Sequence, residues 1–525
     1  MTSLRRFPTG ILLGLGLIAL SFLLYGRNFL APPIWDDHYF VQNQSFLRDP
    51  WNLLLVLDPR HLFQVLPVSN SARPVWLASV LLDRALLGPS FAALRASSAL
   101  WHGFGACLLA LLAWELTASA PAAILAGVLF TAHPLHAEAV NIVTFRADAV
   151  AFVFLVLSLL LHLRARQVER GLPWRLASLA SFALALLAKE SATALPFLLP
   201  LVEWAAPRGR GGRGFSRPRV YAAFAVLLLA YAYFRVPRSG YVNCDGADLF
   251  SQWRMSHPGF FAPVSQAAAS SHASWAPARE LHDPPPWSRD ILDPAARVRT
   301  MIQLHGDSLR RLFWPHPLQG EYSVRAVRSW GDPAFLASLA AWAVLFGSVL
   351  WLRRRRPLLA ASLTWIPVSM VPVSGVIWMA NLTADRYLYT ASAGVCLAIS
   401  AIAIDPSFGG SGRRARRARL SLGFGIAAVW AVLGAGRLQV FSSDRAFFGE
   451  TASLDPEAAR ARLNLAIAQR GIGLFAEAER NFQATLSLWP RSRRAAREYE
   501  DFLQSQGRAE EARLLRARVS GDEDP

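Results

Sequence analysis

The sequence contains little charge, few cysteines and almost no lysine. Only 17% of its 525 residues are charged and 53% are hydrophobic, and the mean hydropathy is +0.29. A soluble protein of this size is less apolar, so the composition excludes a soluble globular enzyme and indicates a polytopic membrane protein. Of the three cysteines, Cys107 and Cys396 lie in apolar segments and leave Cys244 without an obvious partner, so no disulfide framework is implied.

Lysine is the rarest charged residue, because Lys189 is the only lysine among 54 basic residues. The preference for arginine resembles that of a GC-rich bacterial genome. Lys189 is therefore a candidate for a position that requires a compact ammonium, with chance survival as the alternative. The net charge of +18 does not indicate nucleic-acid binding, since the arginines lie in short runs between apolar segments.

Eleven apolar segments predict transmembrane helices. The first follows Arg5 and Arg6 but precedes no small-residue cleavage site, so it indicates a membrane anchor rather than a signal peptide. The segments are 10–30, 97–117, 121–140, 147–163, 176–188, 192–205, 220–236, 333–352, 357–379, 387–404 and 420–439.

Arginine clusters at 164–175, 208–219, 353–356 and 413–419 predict the orientation. By the positive-inside rule, these loops and the N-terminus are cytoplasmic, in a bacterial inner membrane. The remaining loops, chiefly 31–96 and 237–332, and the C-terminal region are then extracytoplasmic. Within these two loops, segments 73–87 and 297–313 are apolar-periodic but too short or too charged to span, which predicts helices at the membrane interface.

The composition changes near residue 441 to that of a soluble helical region. Pro456 and Pro490 are 34 residues apart, as are Gly473 and Gly507. This period is typical of tetratricopeptide repeats. A single repeat cannot bury its own faces, so we expect region 441–525 to pack on the outer loops or to bind a partner protein. An ordinary helical hairpin is the alternative.

Most polar residues of the predicted extracytoplasmic side occur in short motifs. Ionisable residues at membrane depth are functional-site candidates. The spacing of His133, His136 and Glu138 matches no zinc signature, which favours a hydrogen-bonded cluster facing an outer cavity. The candidates are Asp36, Asp37, Arg73, His133, His136, Glu138, Arg146, Asp148, Lys189, Glu190, Asp385 and Arg386.

A known family resembles this arrangement. The signature hairpin of the transmembrane and tetratricopeptide-repeat O-mannosyltransferases is similar to HPLHAEAVNIVTFRADAVAFVFLVLSLLLHLRA, which begins at His133. Other motifs follow the order of the family: WDD at 35–37, RP at 73–74, KES at 189–191, WPHPL at 314–318 and ADRYLY at 384–389. Two departures are Asp385, where the family pattern has Glu, and a repeat array shorter than that of eukaryotic members.

The resemblance implies an all-α membrane glycosyltransferase of the GT-C type. Region 1–440 would be the transferase domain, with a small tetratricopeptide-like domain at 441–525. Such enzymes move a sugar, here expected to be mannose, from a polyprenyl-phosphate carrier. They act at the extracytoplasmic face, with inversion, on an acceptor hydroxyl that we expect to belong to a protein.

The implied chemistry assigns roles to the candidate residues. Asp36 or Asp37 would be the general base, because adjacent carboxylates raise one another's pKa and one of them could then hold a proton near neutral pH. Of the two, Asp37 is slightly preferred. The other carboxylate would orient the acceptor or a divalent cation, Mg or Mn. The donor phosphate would be bound by Arg386, Arg146, Lys189 and Arg73. The site would be shaped by His133, His136, Glu138, Asp148, Glu190 and Asp385.

Several alternatives stay open. Each cation could instead pair with a sequence neighbour, giving Arg146–Asp148, Lys189–Glu190 and Arg386–Asp385. The enzyme could transfer another lipid-linked sugar to a glycan or lipid. The chain could also be a non-catalytic membrane scaffold whose repeat region recruits a partner.

Overall fold

Where the structure describes the chain, the fold is all-helical, which confirms the predicted class. The computed structural model describes residues 10–58, 73–206, 215–235, 291, 293–375 and 381–521, and these contain no β-strand. Their α-helices are α1 (Gly10–Tyr25), α2 (Asn52–Leu57), α3 (Pro74–Leu87), α4 (Phe91–Thr117), α5 (Ala120–Ala132), α6 (Ala137–Asn141), α7 (Ala147–Gln167), α8 (Leu172–Ala188), α9 (Leu195–Ala205), α10 (Pro218–Arg235), α11 (Pro294–Phe313), α12 (Pro333–Leu352), α13 (Pro357–Met370), α14 (Tyr389–Ile404), α15 (Arg413–Arg437), α16 (Asp444–Leu454), α17 (Ala459–Gly471), α18 (Phe475–Leu488), α19 (Arg493–Ser505) and α20 (Ala509–Gly521).

Six helical stretches among the described residues are long and apolar enough to cross a membrane, so the chain is a multi-pass membrane protein. A seventh exists if Ala120–Ala132 and Pro134–Asn141, which meet at 49°, form one span. The other predicted spans form the shorter helices α8, α9, α10 and α13, so the total of eleven stays a prediction. The six are Gly10–Asn28, Phe91–Thr117, Val143–Gln167, Pro333–Leu352, Asp385–Ile404 and Arg413–Ser442.

Small residues allow the central helices to pack closely. α4 packs against α1, α5 and α7, and α14 packs against α5 and α13. A Cβ atom at Gly103 of α4 would lie 2.9 Å from the Cα of Ile18 in α1, and one at Gly127 of α5 would lie 2.7 Å from Leu17. Glycine at these positions therefore lets α1 approach both helices, as is common between helices in membranes.

The two segments predicted to lie at the membrane interface form helices at the expected places in the chain. α3 and α11 confirm the helices predicted at 73–87 and 297–313. α11 begins after Asp293, whose carboxylate accepts hydrogen bonds from the backbone N–H groups of Ala295 and Ala296. Most of the long predicted loop, at 236–290, lies outside the described residues, as do Cys244 and part of the arginine cluster at 208–219.

The C-terminal region forms successive helical hairpins. α17 packs against α18, and α19 packs against α20. Gly473 and Gly507 follow α17 and α19 with φ angles of +79° and +74°, the left-handed conformation that glycine adopts readily after a helix. The 34-residue spacing thus marks equivalent helix ends, while the assignment to the tetratricopeptide family stays a prediction.

Candidate active site

Asp37 is a buried anchor. Its carboxylate accepts hydrogen bonds from the backbone N–H of Val143 (3.1 Å), the backbone N–H of Thr144 (2.9 Å) and the hydroxyl of Thr144 (2.8 Å). Burial raises the pKa of Asp37, and these hydrogen bonds oppose the rise. The carboxylate has no solvent contact. Because all three donors belong to the hairpin at 133–148, Asp37 joins the 35–38 segment to that hairpin.

Asp36 has different surroundings. Its side chain keeps part of its solvent contact and accepts no hydrogen bond from any residue that the structure describes. Loss of surrounding water raises the pKa of Asp36 to about 6, while the charges of Arg386 and Arg460 oppose this rise. A carboxylate with that pKa and unused lone pairs is suited to accept a proton near neutral pH.

Trp35 sets the direction of the Asp36 backbone. Its φ angle of +49° is in the left-handed region, which costs a residue other than glycine about 1–2 kcal/mol. Its backbone N–H donates to a carboxylate oxygen of Asp444 at 2.7 Å. Its ring lies 5.4 Å from that of Phe145 and 5.1 Å from that of Phe447, between centroids. Contacts from distant parts of the chain therefore hold this unfavourable conformation.

Arg95, which the sequence analysis did not select, holds the turn before Trp35. This buried residue of α4 donates to the carbonyl groups of Asn28 (3.3 Å), Ala31, Pro32 (2.5 Å) and Asn141 (3.0 Å). The sequence signal that could have identified Arg95 is its position at the edge of an apolar segment, where an ionisable residue is a functional-site candidate.

Each predicted phosphate-binding cation has a carboxylate partner, but never its sequence neighbour. The alternative pairings Arg146–Asp148, Lys189–Glu190 and Arg386–Asp385 are not the ion pairs found among the described residues. The observed pairs are Arg386–Glu138, Lys189–Asp148, Arg146–Asp83 and Arg73–Glu190, the last with two hydrogen bonds of 2.5 and 3.2 Å.

Three of these pairs form one polar region, and its Arg386–Glu138 pair lies next to Asp36. The backbone N–H of Arg386 also donates to Glu138, at 2.8 Å, and the charges of Asp148, Arg73, Glu190 and Arg386 all act on Lys189. The structure therefore brings together candidates that are up to 350 residues apart, from 36 to 386.

Arg146 belongs to a separate cluster. Its guanidinium binds Asp83, which also accepts a hydrogen bond of 2.8 Å from the hydroxyl of Ser97. Arg146 is fully buried. This position joins the hairpin to α3 and α4.

Asp385 is enclosed by three donors that the sequence analysis did not select. Its carboxylate accepts hydrogen bonds from Arg311 (3.0 Å), Arg437 (3.1 Å) and the hydroxyl of Tyr322 (2.6 Å). Burial and the charge of Asp385 raise the pKa of Tyr322, so its hydroxyl stays protonated and donates. Arg437 ends α15, and this cluster joins that helix to α11.

The two histidines of the hairpin lie within the protein rather than facing a cavity. His136 contacts the Phe130 carbonyl and the Ser392 hydroxyl, each at 2.8 Å, and His133 lies 3.1 Å from the Leu312 carbonyl. No group of three or more His, Cys, Asp or Glu residues in the described ranges could hold a metal ion. Binding of Mg or Mn at Asp36 or Asp37 stays a prediction.

The C-terminal region contributes directly to this site. Asp444 of α16 contacts the His38 Nε2 atom at 2.8 Å as well as the backbone of Trp35. Arg460 of α17 binds Glu321 and Asn381, and its charge acts on Asp36. Region 441–525 thus packs on the loops that contain Trp35, His38, Glu321 and Asn381, which was one of the two arrangements expected for it.

Comparison with known proteins adds one similarity in sequence, although no family model matches the chain. The similarity is to an O-mannosyltransferase. The chain is 30% identical over 252 residues to Protein O-mannosyl-transferase Tmtc2 of Drosophila melanogaster, which covers 43% of this chain and 26% of the relative. The resemblance that the motifs indicated is thereby confirmed, and the chain spans about a quarter of the length of this relative.

Solved structures show a weaker likeness. An oligosaccharyltransferase of Archaeoglobus fulgidus, AglB, in complex with an inhibitory peptide and a dolichol-phosphate, has a TM-score of 0.40 and 13% identity, covering 83% of this chain and 56% of its own. The apo form of the Archaeoglobus fulgidus oligosaccharyltransferase has a TM-score of 0.38 and 13% identity, covering 83% and 57%. A likeness of this size does not assign a function.

Proposed function

We propose that this protein is a membrane glycosyltransferase. It moves a sugar from a polyprenyl-phosphate carrier to an acceptor hydroxyl at the extracytoplasmic face of the membrane. Mannose is the expected sugar and a protein the expected acceptor, since the relative found in sequence is an O-mannosyltransferase. The observation that carries the proposal is the Asp36 carboxylate, which accepts no hydrogen bond from any described residue and has a pKa of about 6 beside the charges of Arg386 and Arg460.

Asp36, rather than Asp37, is the base in this proposal. The acceptor hydroxyl gives its proton to the Asp36 carboxylate while its oxygen bonds to the anomeric carbon of the sugar. The bond from that carbon to the phosphate oxygen breaks, and its electron pair leaves with the polyprenyl phosphate. Attack opposite the leaving group inverts the anomeric centre. Asp37 holds the segment in place through Val143 and Thr144.

The leaving phosphate gains negative charge that nearby cations can stabilise. Arg386 is the best placed, because its charge acts on Asp36 and its guanidinium lies 5.5 Å from the Trp35 ring. Lys189 and Arg73 belong to the same polar region. Arg146 is the least suited of the four, since it is fully buried beside Asp83.

The test is sugar transfer by purified protein with polyprenyl-phosphate-mannose and a peptide acceptor. Asp36→Asn should lower turnover by about 10²–10⁴-fold, the usual contribution of a general base. Asp501→Asn is the matched control, because Asp501 is an exposed residue of α19 outside the site. Full turnover by Asp36→Asn would show that Asp36 is not the base.

The alternatives predict other results in the same assay. Release of polyprenyl phosphate with a different sugar donor, or with a glycan or lipid acceptor, would identify a transferase of different specificity. A scaffold would show no transfer with any donor, and its cellular phenotype would survive Asp36→Asn but not deletion of residues 454–525.

A further inference from the structure

A buried arginine in the first loop has no role in the proposed transfer. Arg84, on α3, is only 9% exposed, and its Nε atom is buried without a hydrogen-bond partner. Among the described residues none forms an ion pair with it. The adjacent carboxylate, Asp83, already binds Arg146 and Ser97. Since a buried charge without a counter-charge is costly, Arg84 has the properties of an anion ligand.

The charge that acts on Arg84 is that of a second arginine. Arg48 ends a short helical turn, Ser45–Arg48, that packs against α3. Burial lowers the pKa of Arg84, and the charge of Arg48 lowers it further. Arg48 is exposed, and in the described part of the chain its one hydrogen bond is a 3.5 Å contact with the carbonyl of Gln42. Two guanidinium groups that lack a carboxylate match the oxygens of a phosphate, which arginine binds with paired N–H groups.

The same loop exposes large apolar side chains. In α2, Leu54 and Leu57 are 63% and 60% exposed, and Trp51 just before it is 77% exposed. In α3, Leu86 is 72% exposed. With 6 and 14 residues, α2 and α3 are too short to span a bilayer. Such a surface is unfavourable in water but favourable at a membrane interface, where tryptophan and arginine are common.

We propose that α2 and α3 lie on the membrane surface and that Arg48 and Arg84 bind the phosphate of a phospholipid headgroup. The leucines and Trp51 enter the acyl boundary while the guanidinium groups stay at the depth of the phosphates. Through Asp83, this contact would also support the position of Arg146 in the hairpin. The site does not depend on sugar transfer.

Thermal unfolding of the full chain in neutral detergent tests the proposal. Added phosphatidylglycerol should raise the Tm of the wild type increasingly as its concentration exceeds the dissociation constant, and phosphatidylcholine, without net charge, should raise it less. The variant Arg48→Gln/Arg84→Gln should need roughly tenfold more phosphatidylglycerol for the same rise. Arg480→Gln, a change at an exposed arginine of α18, should behave as the wild type.

Loss of a buried arginine could lower the Tm without any lipid, so Arg48→Gln alone is measured as well. Because Arg48 is exposed, this variant should fold normally. In native mass spectrometry it should nevertheless retain less bound phosphatidylglycerol than the wild type. An equal response to phosphatidylglycerol in the wild type and both variants would overturn the proposal. So would an equal Tm rise with inorganic phosphate alone, which would identify a site for the free ion.

Discussion

Asp444 provides the sharpest test of how the C-terminal region supports the site. Its carboxylate contacts the residues on either side of the acid pair, the Trp35 backbone N–H at 2.7 Å and His38 Nε2 at 2.8 Å. In Asp444→Ala both contacts are lost. Trp35 can then leave its left-handed φ of +49°, and Asp36, the next residue, moves with it.

The size of the effect follows from these contacts. A hydrogen bond to a carboxylate contributes about 1.5–3 kcal/mol. The His38 pair adds at most about 1 kcal/mol, because its side chains are 35% and 27% exposed and solvent screens it. If Trp35 leaves the left-handed region, the relaxed conformation is also favoured by the about 1–2 kcal/mol that the left-handed φ costs. A displaced base should therefore lower kcat/KM by about 10–100-fold, with each tenfold equal to about 1.4 kcal/mol.

Transfer kinetics on the folded fraction check this prediction. Asp444→Asn keeps an oxygen that can accept the Trp35 N–H bond and should retain most of kcat/KM. Asp501→Ala, in α19, controls for the loss of a surface carboxylate. If Asp444→Ala has a lower Tm but transfers sugar at the wild-type rate once folded, Asp444 stabilises the region without positioning Asp36.

Three further predictions concern pH and buried charge. Since Asp36 must be ionised to accept a proton, kcat/KM should rise tenfold per pH unit below its pKa of about 6 and level off above it, and a flat profile from pH 5 to 7 would contradict this. The hydrogen bond to Asp444 raises the pKa of His38, with smaller contributions from Gln42 and the charge of Asp37. The resulting stabilisation is complete below the unfolded pKa near 6.5 and is lost as pH rises through the higher folded pKa, so the Tm difference between wild type and His38→Gln should shrink from pH 6 to 9. Glu138→Gln removes the carboxylate partner of buried Arg386 and should cost about 3–5 kcal/mol of unfolding free energy, measured by denaturation in detergent; an unchanged Tm would contradict a buried pair.

Local patterns in the sequence were sufficient for the fold class and for most helices. Each of the eleven apolar segments contains a helix, because hydropathy and helix propensity act within a segment. The 34-residue spacing of Gly473 and Gly507 was recognisable in the sequence as a repeat period, and in the structure both glycines follow helices. The motifs also selected most of the polar region, since ionisable residues are rare enough near membrane segments to be recognised singly.

The partners of those residues could not be predicted in the same way. Lys189 pairs with Asp148 and Arg73 with Glu190, across separations of 41 and 117 residues. Which carboxylate pairs with which cation depends on which helix ends meet in the folded protein, and local sequence patterns contain no information on those contacts. Arg95 and Asp444 were missed for the same reason, because each acts on the 28–38 segment from a distant helix.

By itself, the sequence determined that this protein is helical, that it crosses a membrane several times and that Asp36 and Asp37 belong to a series of motifs resembling those of a known family. Only the tertiary structure distinguished the two carboxylates. Asp37 accepts three hydrogen bonds from Val143 and Thr144 of the hairpin, whereas Asp36 accepts none from the residues that the structure describes. The physical reason is that composition and periodicity act along the chain, while burial and the choice of hydrogen-bond partner arise only when distant segments pack together.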